Sequence, residues 1–292
     1  MDETFVPINR QALRDKMNSY RKHPGSFLLL LFVLLAAVAT VVVLLFLVGY
    51  ILIKGVPYLR PSLFALTYTS ENVSMLPAII NTVVMVALAL LFSVPFGVGA
   101  AIYLVEYAKK GNKLVGVIRI TTETLTGIPS IIYGLFGMLF FNIAFGLRYS
   151  MLSGASTLAI MVLPVIIRTT EEAFLCVPGS YREGSFGLGA GKLRTIFCIV
   201  LPAAVPGILS GVILAIGRIV GETAALIYTA GTVAGVAGLK DSGRTLAIHM
   251  YVLANEGLHA NEANATAVVL LGVVLLINWG SSRIARKFEA PS

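Results

Sequence analysis

Uncharged apolar runs alternate with short polar segments along nearly the whole chain. The first run, Phe27 to Ile53, carries no charge. Others lie near 76–105, 125–147, 151–167, 203–232 and 264–282. About 20 apolar residues cross the hydrocarbon of a bilayer, so the pattern predicts an all-α, polytopic bundle of about six spans. The first run exceeds the roughly 7–15-residue core of a cleaved leader and reads as an uncleaved span. Pro129, Gly134 and Gly137 predict a bent third span able to line a cavity. Gly207/Gly211 and Gly217/Gly221 are small-residue pairs of the kind that let helices approach closely. There is no low-complexity linker, and no internal repeat of the sort that builds two-halved secondary transporters.

Composition agrees. Of 292 residues, 57% are hydrophobic and 12% charged, where a soluble domain carries about 25% charged residues. The net charge of +8 would suggest nucleic acid in a soluble protein, but here the basic residues flank apolar runs. Arg10, Arg14, Lys16, Arg21 and Lys22 precede the first span. Lys109, Lys110, Lys113 and Arg119 follow the second. Arg168, Arg182, Lys192 and Arg194 follow the fourth, and Arg283, Arg286 and Lys287 follow the sixth. The alternate loops hold only Lys54, Arg60, Arg148, Lys240 and Arg244. This bias puts both termini in the cytoplasm, with basic tails at 1–26 and 286–292. Cys176 and Cys198 fall in one cytoplasmic stretch, where a disulfide is not expected, and no histidine stands near them to complete a metal site. His23, His249 and His259 are scattered, and no catalytic constellation argues for an enzyme.

Residues 168–202 are too polar to span and too patterned to be slack. Pro178-Gly179 breaks the chain. Ser180 precedes Glu183 by three residues, the spacing of a capping box. A short helix from Tyr181 to about Leu188 is expected, ended by Gly189-Ala190-Gly191. A second helix starts near Lys192 and enters the fifth span at Leu201-Pro202. An ordinary interfacial helix pair would show the same amphipathicity. The run Gly187–Lys192 imitates a phosphate-binding loop. However, Phe186 stands where that loop needs its first glycine, Leu193 replaces the Ser/Thr, and no strand precedes it. The chain is therefore not expected to bind ATP itself.

Charge inside the membrane is costly, about 2.5 kcal/mol or more per group at mid-bilayer. The fifth span nevertheless contains Gly217-Arg218-Ile219-Val220-Gly221-Glu222-Thr223. Arg218 and Glu222, four apart, are expected to share a helix face and pair. Either the pair is structural, or the guanidinium serves an anion pathway with planar, permanently charged donors. Arg168, Glu171 and Glu172 form a second cluster at the end of the fourth span, and Glu123 stands near another membrane edge.

From Glu183 the order is Glu-Gly-Ser, three residues, Gly189, nine residues, Ile199, one residue, Leu201-Pro202. This resembles the EAA loop of ABC importer permeases, with Gly184-Ser185 in place of two alanines. GIPSIIYGLFG at 127–137 and GRIVGETAAL at 217–226 resemble the A-type permease of phosphate ABC importers in particular. The likeness covers roughly residues 70–285. It implies a type I importer permease of a bacterial inner membrane, with 180–202 as its cytoplasmic coupling loop. Glu183, Gly184, Ser185 and Gly189 would meet the ATPase. Arg218, Glu222, Thr223, Arg168 and Glu171 would line the substrate path. The implied partners are a second, C-type permease, an ATPase dimer that binds ATP and magnesium, and an external phosphate-binding protein. This chain itself would hold no cofactor. Rival readings are a permease for molybdate or sulfate, and an ion-coupled secondary transporter, which would leave the 180–202 loop without a purpose.

Overall fold

The computed structural model describes residues 24–109 and 111–288; the basic tail at 1–23 lies outside them. Helix α1, Pro24–Gly55, is a 32-residue helix without a charge before Lys54. At 1.5 Å per residue it is about 48 Å long, enough to cross a bilayer. It stands as a unit of its own up to Ile53, and the remainder of the chain forms a second unit.

The second unit opens with two short 3-10 turns, Val56–Tyr58 and Pro61–Phe64. Helix α2, Leu76–Tyr107, follows, with Pro77 in its first turn, where a missing N–H costs nothing. Helices α3, Lys113–Thr126, and α4, Ser130–Ala144, meet at an elbow of 102°. Pro129 causes it: its backbone is extended, φ −57° and ψ 139°, and proline cannot donate to a preceding turn. The Tyr133 hydroxyl donates to Leu125 O across the bend, 2.8 Å. The expected bent span at 125–147 is thus the second arm of a longer pair that begins at Lys113, within a stretch expected to be loop.

Helix α5, Met151–Cys176, is the centre of the bundle, with 67% of its most apolar window buried. Its Met151, Ala155, Leu158, Met161, Val162 and Ile166 pack with Met85 of α2, Tyr133 of α4 and Ala215 and Ile219 further along the chain. It continues past the expected end at 167, because ion pairs described below satisfy its charged last turns. Helix α6 is Gly179–Gly187. Helix α7, Lys192–Gly221, widens into a π turn at Ile196–Val200 and then runs on to Gly221. The span expected at 203–232 therefore begins earlier and stops earlier. Short α8, Ala224–Thr229, precedes an irregular stretch. Helix α9, Leu246–Glu256, occupies what had read as loop, and α10, Ala260–Phe288, closes the described chain.

Helix directions follow from the packing. Val98, Ile102 and Val105 near the end of α2 join Ala173, Phe174 and Val177 at the end of α5, together with Ile196 and Val200 at the start of α7. Helices α2 and α5 therefore run the same way, and the chain must cross once between them. The α3–α4 elbow makes that crossing. Ala265 at the start of α10 packs with Met75 and Ala78 at the start of α2, so α10 runs parallel to α2. The bundle has two ends, one carrying α6 and a far end carrying α9.

The irregular segment between α8 and α9 is held by side chains of the helices around it. Asn81 of α2 donates to Gly235 O, 2.8 Å, and Arg244 O, 3.1 Å, and accepts from Ala237 N–H, 3.0 Å. Thr82 accepts from Leu246 N–H, 2.8 Å. Asn142 of α4 donates to Tyr228 O, 3.1 Å. Non-helical backbone in a membrane protein is tolerated where protein satisfies its polar groups: Asn81 does so within the stretch, while Thr82 meets the first N–H of α9 and Asn142 a carbonyl at the end of α8.

Candidate functional site

Helix α6 starts at Pro178-Gly179, where proline ends α5. No side chain caps it, so the expected Ser180–Glu183 capping box does not form. Glu183 and Gly184 are exposed. Ser185 is the one buried residue of the helix, and its hydroxyl bonds that of Thr195 on α7 at 2.8 Å. Gly189 turns the chain with φ +81°, a left-handed conformation that glycine takes without steric cost. A Cβ there would meet nothing within 4 Å, so the backbone angle, and not crowding, requires glycine. Tyr181, Phe186 and Leu188 stay exposed, Leu188 at 91%. Beside them lies a cleft of about 300 Å³ lined by Ser185, Leu188, Gly189, Ala190, Arg194, Cys198 and Ile199.

The inward anchor of α6 is Arg182, which the sequence reading counted only as a basic loop residue. Its Nε and Nη2 donate to one oxygen of Glu106, at 2.9 and 2.7 Å. Its Nη1 donates to Val177 O, 2.9 Å, and its Nη2 to Phe174 O, 3.0 Å. Lys192 adds a cation–π contact to Tyr107, 4.7 Å from the ring centroid. The available signal was the pairing of a lone acid at the end of one apolar run with an arginine just beyond another.

Arg168 and Glu171 fall together, but with partners. Glu171, buried, pairs with Arg119 of α3. Arg168 bonds Glu172 at 3.1 Å, one helical turn on, and lies 4.0 Å from Glu123. These residues line a pocket of about 250 Å³ between α3 and α5. Two guanidiniums and three carboxylates give it a net charge of −1. Each arginine already faces a carboxylate, so the cluster ties two helices together and is poorly equipped to hold an anion.

Arg218, Glu222 and Thr223 lie elsewhere. A Cβ on Gly207 would come 2.6 Å from that of Ala173, and Gly211 lies directly against Thr169. These contacts set the level of α7 against α5. Arg218, seven residues beyond Gly211, sits about 10 Å further toward the far end. The expected Arg218–Glu222 pair does not form. Helix α7 ends at Gly221, Glu222 is extended at φ −72° and ψ 126°, and its carboxylate accepts from Ala225 N–H at 3.0 Å, at the start of α8. A spacing of four aligns side chains only while the helix lasts. Among the described residues Arg218 makes no ion pair, and it is half-buried, as are Glu222 and Thr223. The Thr223 hydroxyl makes one long contact, to Gly221 O at 3.4 Å.

At the far end, Arg244 is buried with its guanidinium 4.5 Å over the Tyr68 ring. Fully buried His249 meets the same ring edge-on. Burial and the neighbouring Arg244 charge push the His249 imidazole down to about 3, against a weak upward pull from the Val73 backbone. It is therefore neutral. Scattered histidines gave no hint of this contact in the sequence.

The described residues form a bundle of helices long and apolar enough to cross a membrane, with a polar helix projected from one end. Residues 93–290 match the family described as binding-protein-dependent transport system inner membrane component, and the chain belongs to it. The probable ABC transporter permease protein YqgI of Bacillus subtilis is 32% identical over 280 residues, covering 87% of this chain and 94% of that one. The phosphate transport system permease protein PstA 1 of Mycobacterium tuberculosis (strain CDC 1551 / Oshkosh) is 39% identical over 154 residues, 53% of this chain and 50% of the relative. The PstA of Pasteurella multocida is 39% identical over 180 residues, 61% of this chain and 63% of the relative. The chain thus spans between half and two-thirds of the length of these phosphate permeases. A solved bacterial alginate ABC importer shares the fold, with TM-score 0.66 at 17% identity over 94% of this chain and all of that one. The MetNI methionine ABC transporter gives TM-score 0.58 at 22% identity, over 74% and 94%.

Proposed function

We propose that this chain is a transmembrane subunit of an ATP-driven phosphate importer, forming half of the translocation path and taking its motion from a separate ATPase. The observation that carries the reading is the likeness to phosphate transport permeases at 39% identity. Arg218, beside a helix break and without an ion pair among the described residues, supplies chemistry suited to an oxyanion, because a guanidinium offers several fixed donors to phosphate. Sulfate or molybdate could use the same group, but no relative reported above carries either name.

In this reading the α6 end faces the cytoplasm, and Tyr181, Glu183, Gly184, Phe186, Leu188 and the Gly189 turn meet the ATPase. Arg218, with Thr223 near it, contacts the anion in transit. Glu222 serves by holding the α8 start, which keeps it away from Arg218. Arg168 and Glu171 take the role of fastening α3 to α5 at the cytoplasmic side. A second permease, an ATPase dimer supplying ATP and magnesium, and an external binding protein complete the assembly.

The test is co-purification. A tagged chain expressed with its neighbours should bring down an ATPase and a second permease of similar hydropathy, and the reconstituted complex should hydrolyse ATP faster when phosphate-loaded binding protein is present. Stimulation by sulfate-loaded protein alone, or isolation of the chain without an ATPase under conditions that preserve its fold, would overturn the reading.

A further inference from the structure

The inward face of α6 is almost bare of apolar anchorage. The three-helix cluster beneath it draws its buried members from α5 and α7, with α2 packed alongside, and none from α6. The large apolar side chains of α6 and its turn, Tyr181, Phe186 and Leu188, point outward. Two polar contacts remain: Ser185 to Thr195, which reaches α7, and Arg182, which reaches α2 through Glu106 and α5 through the carbonyls of Phe174 and Val177. The Arg182 and Glu106 side chains are only 20% and 10% exposed. All three guanidinium nitrogens are engaged, and they engage two different spans.

The geometry points to Arg182 as the positioning residue that makes α6 move as one body with α2 and α5. Chain continuity alone joins α6 to α5 through Pro178-Gly179, a proline-glycine joint, and to α7 through the Gly189–Gly191 turn. Neither joint reaches α2; the sideways contact from α6 to that span is the one Arg182 makes. The guanidinium fixes α6 there: its planar fork holds a carboxylate and two carbonyls at set angles. A lysine at this position keeps the charge but cannot hold three acceptors in one plane. Glu106 contributes the α2 half of the joint, and it stands in the π turn that ends α2.

This inference rests on the transport reading above, and its test separates the two. The variants are Arg182→Lys, Glu106→Gln and the double change, each in the full reconstituted complex. Two quantities are read: phosphate imported per ATP hydrolysed, and the spread of distances between spin labels on α6 and α2, introduced as Ser180→Cys and Tyr103→Cys, both exposed, with Cys176 and Cys198 replaced by Ser. In the unaltered chain the α6–α2 distance should be the same with and without ATP. Each single variant should assemble and hydrolyse ATP within about twofold of normal, broaden the distance distribution, and import at least about tenfold less phosphate per ATP, the scale of one lost charge-assisted hydrogen bond. The double variant should be no worse than the worse single, because both changes break one joint. A normal import-to-hydrolysis ratio in Arg182→Lys would overturn the proposal. So would losses of import and hydrolysis in equal proportion, since a merely structural role gives that result. The label distances do not depend on which anion is carried. If the unaltered complex proves not to import phosphate, the transport reading fails while an undisturbed distance in Arg182→Lys still decides against the joint.

Discussion

Among the described residues Arg218 pairs with no carboxylate, because the helix that would have presented Glu222 to it ends one residue too soon. That single termination decides which test is informative. Arg218→Lys keeps the charge and loses the planar fork, so the variant should assemble at normal levels. If the residue reads the anion, import and phosphate-stimulated ATP hydrolysis should fall at least about tenfold, one well-placed hydrogen bond's worth; import at the unaltered rate would make Arg218 structural. The sequence placed this arginine in a span and marked it as costly, which was enough to single it out. It could not give the partner, because a spacing of four means a shared face only within an unbroken helix. Glu222 was visible in the sequence, while its cap on Ala225 depends on where α7 stops. Arg182 was missed for a different reason. Its carboxylate lies 76 positions away, and no local pattern reports so distant a contact.

Among the elements, α6 carries the most consequence for its size. Its turn at Gly189 holds φ +81° in open space, so substitution tests backbone angle with no added clash. Gly189→Val should cost about 1–2 kcal/mol or more in this turn, since a β-branched residue is strained in the left-handed region. The chain should still insert in the membrane, and its affinity for the ATPase in a pull-down titration should drop several-fold. Full affinity with full transport would remove Gly189 from the docking surface. The apolar runs announced the spans because crossing a bilayer demands length and hydrophobicity, and both are written locally. The breaks were harder. Pro129 flagged a bend, but an elbow of 102° with an arm reaching back to Lys113 depends on α3 packing against α5 through Arg119 and Glu171. The extension of α5 to Cys176 depends on the same ion pairs. Helix α9 reads as loop in the sequence because it is short and because its support, Thr82 against Leu246 and Tyr68 against His249, comes from other parts of the chain.

At the scale of the whole molecule, the parallel course of α2 and α5 makes the α3–α4 elbow a full crossing, so within the second unit α6 and α9 lie at opposite ends. A reporter active only outside the cytoplasm should score when fused near Asn255 in α9 and stay silent near Asn112, Tyr181 and Ala290. Activity at Tyr181 would put α6 on the wrong side for an ATPase. The distribution of lysine and arginine is what predicts this sidedness, because the bias is a sum over loops and survives errors in any one boundary. The unpaired arginine has a last consequence, in energetics. A guanidinium offers its donors in one fixed plane, so an anion held by Arg218 stays until those donors are met by something else. Release has to come from displacement: water admitted to the contact, or a carboxylate swung toward it. Glu222, extended and engaged by one backbone N–H, is the nearest such carboxylate in sequence. A carrier built this way would draw its release step from mechanical work.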